Sequence, residues 1–178
     1  MAGNFFQTKQ AARQAVEGVR RSLSSQQVSE WGGEVQRHLV ALGFWATARL
    51  ASSYQAEAFE VPTDALPRPG LRVCYPKVTK GTRLLTFHEL ADDGQWLPAA
   101  ALAEIDVWVV PGVAFTRDGR RLGRGGGYYD ATLAHARPDA IKVGLTFECC
   151  VVEGFPTEGH DLGVDWVITE RGASRALR

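Results

Sequence analysis

The residues best suited to chemistry lie in one ten-residue segment, 121–130, which carries four glycines, two arginines, two tyrosines and an aspartate. Glycine lacks a side chain and reaches positive φ, so successive backbone N–H groups can point into one concavity and bind an anion. Arginine adds planar, fork-shaped donors that match phosphate oxygens. The segment therefore predicts a phosphate-binding loop, made of Gly123, Gly125, Gly126 and Gly127 and framed by Arg121 and Arg124.

The residues after the glycines extend this prediction to a nucleotide and a metal. A helical run over residues 128–136 would begin at the loop, where a helix N-terminus favours anions. Asp130, one turn into that run, is placed to hold a cation against bound phosphates. The chain has no Gly-Lys-Ser/Thr, and Tyr128 stands where a dinucleotide fingerprint needs its third glycine. A glycine-rich turn with packed tyrosines is the alternative interpretation.

Two helices are predicted to precede the first strand and to support this loop. Residues 7–23 carry apolar side chains at helical spacing, and Ser24 with Gln27 forms a capping box for a second helix, which Gly43 is expected to end. Strands then alternate with helical stretches, which indicates an α/β fold with a mostly parallel sheet covered on both faces. The predicted strands are 47–53, 71–75, 83–87, 105–110 (expected at the sheet centre), 140–147 and 164–169, followed by a frayed tail, 171–178.

Composition narrows the class of protein. The 178 residues suit one domain, 1–178, and equal numbers of acidic and basic residues give no indication of a nucleic-acid surface. No window approaches 18 apolar residues and the first ten residues lack a signal-peptide core, so neither a membrane span nor secretion is expected. Three cysteines without a CxxC spacing favour a reducing cytoplasm over disulfides or zinc. A cytoplasmic monomer is expected.

The glycine segment and its approach resemble a known family. Residues 109–115 read as an apolar strand followed by Pro111-Gly112 and Phe115, and the string Arg-Leu-Gly-Arg-Gly-x-Gly-Tyr-Tyr-Asp follows after a short spacer. This order and spacing resemble the 5-formyltetrahydrofolate cyclo-ligase family, also called 5,10-methenyltetrahydrofolate synthetase. The resemblance implies a three-layer α/β/α sandwich. It also implies an ATP- and Mg²⁺-dependent conversion of the reduced folate 5-formyltetrahydrofolate to 5,10-methenyltetrahydrofolate, with release of ADP and phosphate.

The resemblance also implies a role for each matching residue. We expect the folate contacts, around Glu60, to be separate from the nucleotide contacts of the glycine loop. Arg124, Tyr128 and Tyr129 are the implied catalytic residues, and Asp130 and Asp161 the implied metal ligands. The implied ATP-binding residues are Lys9, Arg13, Arg121, Gly123, Arg124, Gly125, Gly126, Gly127, Tyr128 and Tyr129, and the implied substrate-binding residues are Glu60, Arg13, Phe115 and Tyr128.

Several positions depart from the family pattern in the part expected to contact folate. Leu97 replaces a glutamate, Thr116 an aspartate and Cys150 a glutamine, while Pro67 limits an expected helix to about one turn. Asp118 is a candidate substitute at the second of these positions, and Cys150 is expected to be a packing thiol. A diverged relative that binds nucleotide or folate without this activity, or acts on another formamide, is therefore the alternative. Lys77 and His160 are left open between pocket and solvent.

Overall fold

The computed structural model describes residues 5–176, and three helices precede its first strand. The first two helices match the prediction. The third was not predicted and ends at Thr47, the residue expected to begin the first strand, because residues 43–47 form a helical turn that buries Trp45. The helices are α1 (Lys9–Arg21), α2 (Ser25–Val40), α3 (Gly43–Thr47) and, after the glycine loop, α4 (Tyr128–Leu133).

The helix ends follow from local sequence chemistry, with one exception. The predicted capping box is formed, because Ser24 accepts from the N–H of Gln27 and the Gln27 side chain accepts from the N–H of Ser24. Thr8 caps α1 in the same way through the N–H of Ala11. The prediction that Gly43 ends α2 is wrong, because the helix closes at Ala41 and Gly43 begins α3.

The centre of the fold is an eight-stranded sheet of order β10-β9-β8-β5-β1-β2-β3-β4. Its inner strands β9, β8, β5, β1 and β2 are parallel, and the strands at both edges are antiparallel. The predicted α/β class with a mostly parallel sheet is confirmed. The strands are β1 (Leu50–Ser52), β2 (Arg72–Val78), β3 (Leu85–Leu90), β4 (Trp96–Ala100), β5 (Val107–Val110), β6 (Ala114–Phe115), β7 (Arg121–Leu122), β8 (Ile141–Leu145), β9 (Trp166–Thr169) and β10 (Gly172–Arg175).

Strand β5 separates two hydrophobic cores. All four of its residues are buried, and their side chains alternate between the sheet faces. Val107 and Val109 join the core beneath α1 and α2, whereas Trp108 and Val110 join the core beneath α4. Both faces of the sheet are therefore covered, which is why the central strand is apolar throughout. Within residues 5–176, no helix is long and apolar enough to cross a membrane.

Besides helix α3, four strands were not predicted from the sequence. The segment expected to be a frayed tail forms β10, which pairs antiparallel with β9 as far as Arg175; residues 177 and 178 lie outside the described part. Strand β4 closes the opposite edge although it contains Pro98, which an edge strand tolerates. Strands β6 and β7 form a separate hairpin between β5 and the glycine loop. The hairpin delivers that loop to the carboxyl end of β5, where α/β sheets bind ligands.

Candidate functional site

A cleft of about 660 Å³ lies at the carboxyl end of the central strand and is lined by most of the predicted site residues. Segments that are far apart in the chain form its walls, namely α1, the β1–β2 connection, the glycine loop, α4 and the loop before β9. Its polar and charged lining includes Lys9, Arg13, Tyr54, Glu57, Glu60, Arg121, Arg124, Gly123, Gly125, Gly126, Gly127, Tyr128, Tyr129, Asp130, Glu158, His160 and Asp161.

The glycine loop needs its glycines for two physical reasons. Gly125 (φ 101°) and Gly127 (φ 69°) adopt the left-handed backbone region, which strains residues with a side chain. At Gly126 a Cβ atom would lie 2.9 Å from the Tyr128 ring, which packs over that position. Helix α4 follows directly but ends at Leu133, earlier than predicted. The loop thus exposes backbone rather than side chains to the cleft.

The two predicted basic residues of helix α1 join it to two walls of the cleft, the glycine loop and the loop before β9. Arg13 Nε donates a 2.8 Å hydrogen bond to the carbonyl oxygen of Gly123. Lys9 Nζ lies 2.7 Å from Asp161 Oδ2 and 3.0 Å from Glu158 Oε1. Burial alone lowers the pKa of an ammonium group, but these hydrogen bonds and negative charges outweigh it and raise the pKa of Lys9. The cation stays charged at the mouth of the cleft.

Arg121 and Asp130 form a second ion pair, deeper in the same wall. Arg121 is only 3% exposed at its side chain, and its Nη2 donates to Asp130 Oδ1 at 2.6 Å. The backbone N–H of Leu162 donates to the same oxygen at 3.1 Å. This second bond places Asp130 next to Asp161 in space, because Leu162 follows Asp161 in the chain.

The two predicted metal ligands thus lie on segments that contact each other, and each is already paired with a cation. The described residues 5–176 contain no cluster of three or more His, Cys, Asp or Glu side chains suited to a metal ion. Magnesium, however, is usually held by one or two carboxylates together with substrate phosphates and water. Asp130 and Asp161 therefore fit a magnesium ion that is bound jointly with phosphate oxygens.

The expectation that Glu60 is chemically separate from the glycine loop is wrong. Arg124 Nη2 donates to Glu60 Oε1 at 2.9 Å, and its guanidinium also forms a bidentate pair with Glu57 at 2.9 and 2.7 Å. The hydrogen bonds from Arg124 outweigh partial burial and lower the pKa of Glu57. Sequence reasoning missed this contact because 64 residues separate the partners. The glycine loop and the Glu60 region form one connected site.

Sequence reasoning also missed Arg20, which lies beside the same carboxylate oxygen of Glu60. Its Nη2 is 3.7 Å from Glu60 Oε1, and its side chain is 12% exposed. The sequence spacing could have indicated Arg20 as a site residue, because Arg13 and Arg20 are seven residues apart and therefore share one face of α1. Glu60 itself follows Phe59, which has the positive φ of 66° that non-glycine residues rarely adopt. That turn immediately precedes Glu60, whose Oε1 lies near the guanidinium groups of both Arg20 and Arg124.

The two tyrosines occupy different environments. The Tyr128 ring packs over Gly126 at the loop surface. Tyr129 lies edge-on to Phe87, with the Arg121 guanidinium 5.8 Å from its ring centre. The Tyr129 hydroxyl is buried without a hydrogen-bond partner in the described part of the chain, and burial raises its pKa. Tyr129 thus remains a neutral donor facing the inner wall.

The structure does not bring Phe115 to the cleft with the other predicted residues. Phe115 is fully buried, and its ring fills the space beside Gly112 and Gly144, where an added Cβ would come within 2.6 and 2.3 Å of it. A side chain at either position would collide with this ring, which explains why both residues are glycine. Phe115 therefore supports the floor of the cleft from below and does not line the cleft itself.

The positions that depart from the family pattern lie away from the cleft lining. Thr116 bonds to Asp118, which lies in a separate groove on the far side of α1, so Asp118 does not take its place in the cleft. Leu97 lies on the exposed edge strand β4. Cys150 is fully buried, and its pKa is raised by the neighbouring Cys149 thiol and by burial, as a packing thiol requires.

The structure also locates Lys77 and His160, which the sequence left open between pocket and solvent, and the region around Pro67. Lys77 Nζ lies 4.0 Å from the centre of the Trp96 ring, where it forms a cation–π contact. His160 lines the cleft at its rim, and its side chain is 72% exposed. Around Pro67 the connection from β1 to β2 contains turns but no helix, as the prolines predicted.

Fold and cleft together define an α/β protein with a glycine-loop cleft at the carboxyl end of its central strand. The chain belongs to the 5-formyltetrahydrofolate cyclo-ligase family, whose model matches residues 6–170. It is 31% identical to the 5-formyltetrahydrofolate cyclo-ligase of Haemophilus influenzae over 88% of this chain and 94% of that protein. A second relative of the same name, from Mycolicibacterium smegmatis, is 41% identical over 47% of this chain but only 43% of its own length.

Solved structures agree with this assignment. The fold matches a 5,10-methenyltetrahydrofolate synthetase from Mycoplasma pneumoniae with a TM-score of 0.79 and 25% identity, over 91% of this chain and 98% of that one. It matches the 5,10-methenyltetrahydrofolate synthetase of Aquifex aeolicus with a TM-score of 0.76 and 26% identity, over 96% and 93%. The predicted family and fold are both confirmed.

Proposed function

We propose that the protein converts 5-formyltetrahydrofolate to 5,10-methenyltetrahydrofolate at the expense of ATP, with magnesium, and releases ADP and phosphate. The observation that carries this proposal is the 2.9 Å contact between Arg124 of the glycine loop and Glu60. It brings a phosphate-binding loop and a carboxylate suited to ring N–H donors into one cleft. A phosphoryl group and a folate would therefore meet in the same cavity.

The proposed chemistry asks for positioning more than for a nucleophilic side chain. A formamide oxygen is a poor leaving group, and transfer of the γ-phosphoryl group of ATP to it creates a phosphate leaving group. N10 of the folate then attacks the formyl carbon and loses its proton, and the carbon–oxygen bond breaks as phosphate departs. Such reactions depend on alignment and charge neutralisation. The fully buried Cys150 thiol has no part in them.

The chain's own residues fit the two ends of this reaction. Lys9, Arg13, Arg121 and Arg124 would hold the triphosphate with the backbone N–H groups of the glycine loop. Glu60 would accept hydrogen bonds from the pterin ring. Tyr128, and Tyr129 through its unpaired hydroxyl, would line the wall between the two substrates.

Asp130 and Asp161 would hold the magnesium ion. Bound magnesium would offset negative charge on the phosphates. The two carboxylates are paired with Arg121 and Lys9 in the structure, so a metal ion on either carboxylate would leave the paired cation to interact with phosphate. Asp130→Asn keeps the side-chain shape, and we expect it to weaken magnesium binding in the nucleotide complex. Overlapping magnesium titrations of variant and parent would remove Asp130 from the metal site.

The deciding experiment is an absorbance assay for methenyltetrahydrofolate with the purified protein, MgATP and 5-formyltetrahydrofolate. Product formation is expected, and Arg124→Ala should reduce it strongly without unfolding the protein. Thermal shift with each ligand alone separates the alternatives, because a ligand that binds the native state raises Tm. Stabilisation by MgATP without product would favour a diverged binding protein. The cytoplasmic location and monomeric state remain predictions.

A further inference from the structure

A narrow recess opens from the floor of the cleft beside Glu60. It has a volume of about 10 Å³ and shares Tyr54, Glu60, Pro111 and Gly112 with the cleft wall. A cavity of roughly 10–15 Å³ holds about one water-sized atom. The recess therefore has room for a single oxygen atom of a ligand whose remaining atoms lie in the larger cleft.

Arg20 lines this recess, and its guanidinium has a free N–H donor within the described part of the chain. Its Nη2 lies 3.7 Å from Glu60 Oε1, which is an ion pair but too long for a hydrogen bond. Its Nε is buried and has no hydrogen-bond partner within residues 5–176. Leaving a buried donor unpaired is unfavourable, so this guanidinium is suited to a ligand acceptor.

Glu60 and Arg20 together form an array of acceptors and donors. The carboxylate offers two oxygen acceptors, each with a further lone pair beyond its bonds to Arg124 and to the Glu57 N–H. The neighbouring guanidinium offers N–H donors. A 2-amino-4-oxo pterin edge has the complementary order, because its 2-amino group and N3–H donate and its 4-oxo oxygen accepts.

We propose that Arg20 reads the 4-oxo oxygen of the pterin, seated in the recess, while Glu60 accepts from N3–H and the 2-amino group. Arg20 is thus a specificity-determining residue for 2-amino-4-oxo pterins, a role that rests on the proposed function. Its neighbour Arg21 points elsewhere, since its side chain is 75% exposed and lies 4.0 Å from Glu17 on the helix surface. Arg21 is therefore the matched control.

The experiment measures binding of two ligands without ATP by isothermal titration calorimetry. One ligand is 5-formyltetrahydrofolate, and the other is its analogue with sulfur in place of the oxygen at C4. The analogue keeps both groups that Glu60 reads and changes only the atom in the recess, to a larger and weaker acceptor. The wild-type protein should bind the oxo compound roughly tenfold or more tightly than the thio compound, the size of one hydrogen bond to a charged group.

Arg20→Met should remove that preference by weakening the oxo compound by roughly tenfold or more, while the thio compound changes little. Arg21→Met should behave as wild type. Equal weakening of both ligands would mean that Arg20 only steadies Glu60, and unchanged affinities would mean that it does neither; either result overturns the proposal.

Three further outcomes keep the test decisive. If Arg20→Met does not fold, two other measurements decide: the ligand preference of the wild-type protein and that of Arg20→Lys, which keeps a cation beside Glu60. Equal wild-type affinity for both ligands overturns the proposal. If the wild-type protein binds neither folate, both this proposal and the proposed function fail. If it binds and turns over 5-formyltetrahydrofolate while Arg20→Met keeps the preference for oxygen, only the assignment of Arg20 fails.

Discussion

The glycine-loop end and the Glu60 end of the cleft are built in opposite ways. The first takes its glycines, Arg121 and Arg124 from one continuous ten-residue segment. The second joins Arg20 on α1, Tyr54 and Glu60 after β1, and Thr146 after β8, which only the fold brings together. A contiguous segment is recognisable in the sequence, whereas a site assembled from distant segments is visible only in the structure.

The difference extends to the two arginines of the loop itself. Arg121 is buried against Asp130, at 3% side-chain exposure, whereas Arg124 is 55% exposed and reaches across to Glu57 and Glu60. Three residues apart in the chain, they are held by different kinds of ion pair. Arg121 is buried within the wall of the cleft that carries the glycine loop, and Arg124 connects the two ends of the cleft.

The largest expected effect concerns stability at the buried pair. Arg121→Met leaves the Asp130 carboxylate without its guanidinium partner and should lower the free energy of unfolding by roughly 3 kcal/mol. The matched variant Arg124→Met removes the ion pairs of a half-exposed guanidinium, while Glu60 keeps Arg20 as a neighbour, and should cost less than about 1 kcal/mol. Urea unfolding of both variants measures the difference. Equal losses would show that the two arginines do not differ in this way.

The next effect tests the link between the two ends. Glu60→Gln should weaken folate binding by about 1–3 kcal/mol, because ring donors lose a charged acceptor. The same change should tighten MgATP binding by up to about 1 kcal/mol, because it releases Arg124 from an ion pair. Glu57→Gln, the exposed control, should affect MgATP only. In an Arg124→Ala background the gain in MgATP affinity should vanish, and a persistent gain would show that the link acts by another route.

A smaller effect concerns pH and the Lys9–Asp161 pair. Burial alone raises the pKa of Asp161, but hydrogen bonds from Lys9 and from the Glu158 N–H outweigh it, so the folded-state pKa is lowered. The pair therefore stabilises the protein above the unfolded-state pKa of about 3.9, and this contribution is lost as pH falls through the lower folded value. Unfolding measured from pH 6 to pH 2 should show a shallower acid loss for Asp161→Asn. Parallel curves would contradict this assignment.

The smallest effect is expected at Cys150, outside both ends of the cleft. Cys150→Ala should leave turnover within about a factor of two, because the thiol is buried and its raised pKa keeps it protonated. Turnover of the folded variant, checked by circular dichroism, measures this. Loss of activity with an intact fold would revive the thiol as a reacting group.

The sequence by itself determined the elements whose cause is local. The glycine loop is one, because positive φ at Gly125 and Gly127 is written in the residue type. The capping box of Ser24 and the apolar central strand β5 are others, since side-chain chemistry and burial on both faces set them directly. These features sufficed for the fold class, the family and most of the cleft lining.

Only the tertiary structure decided what depends on partners far along the chain. Strands β4 and β10 are short and partly exposed, and they form because a neighbouring strand supplies their hydrogen bonds. Phe115 fills space beneath Gly112 and Gly144 rather than facing a ligand. The meeting of Arg20, Arg124 and Glu60 follows from the packing of α1 and the glycine loop around one cleft, and no local pattern encodes the distance between such segments.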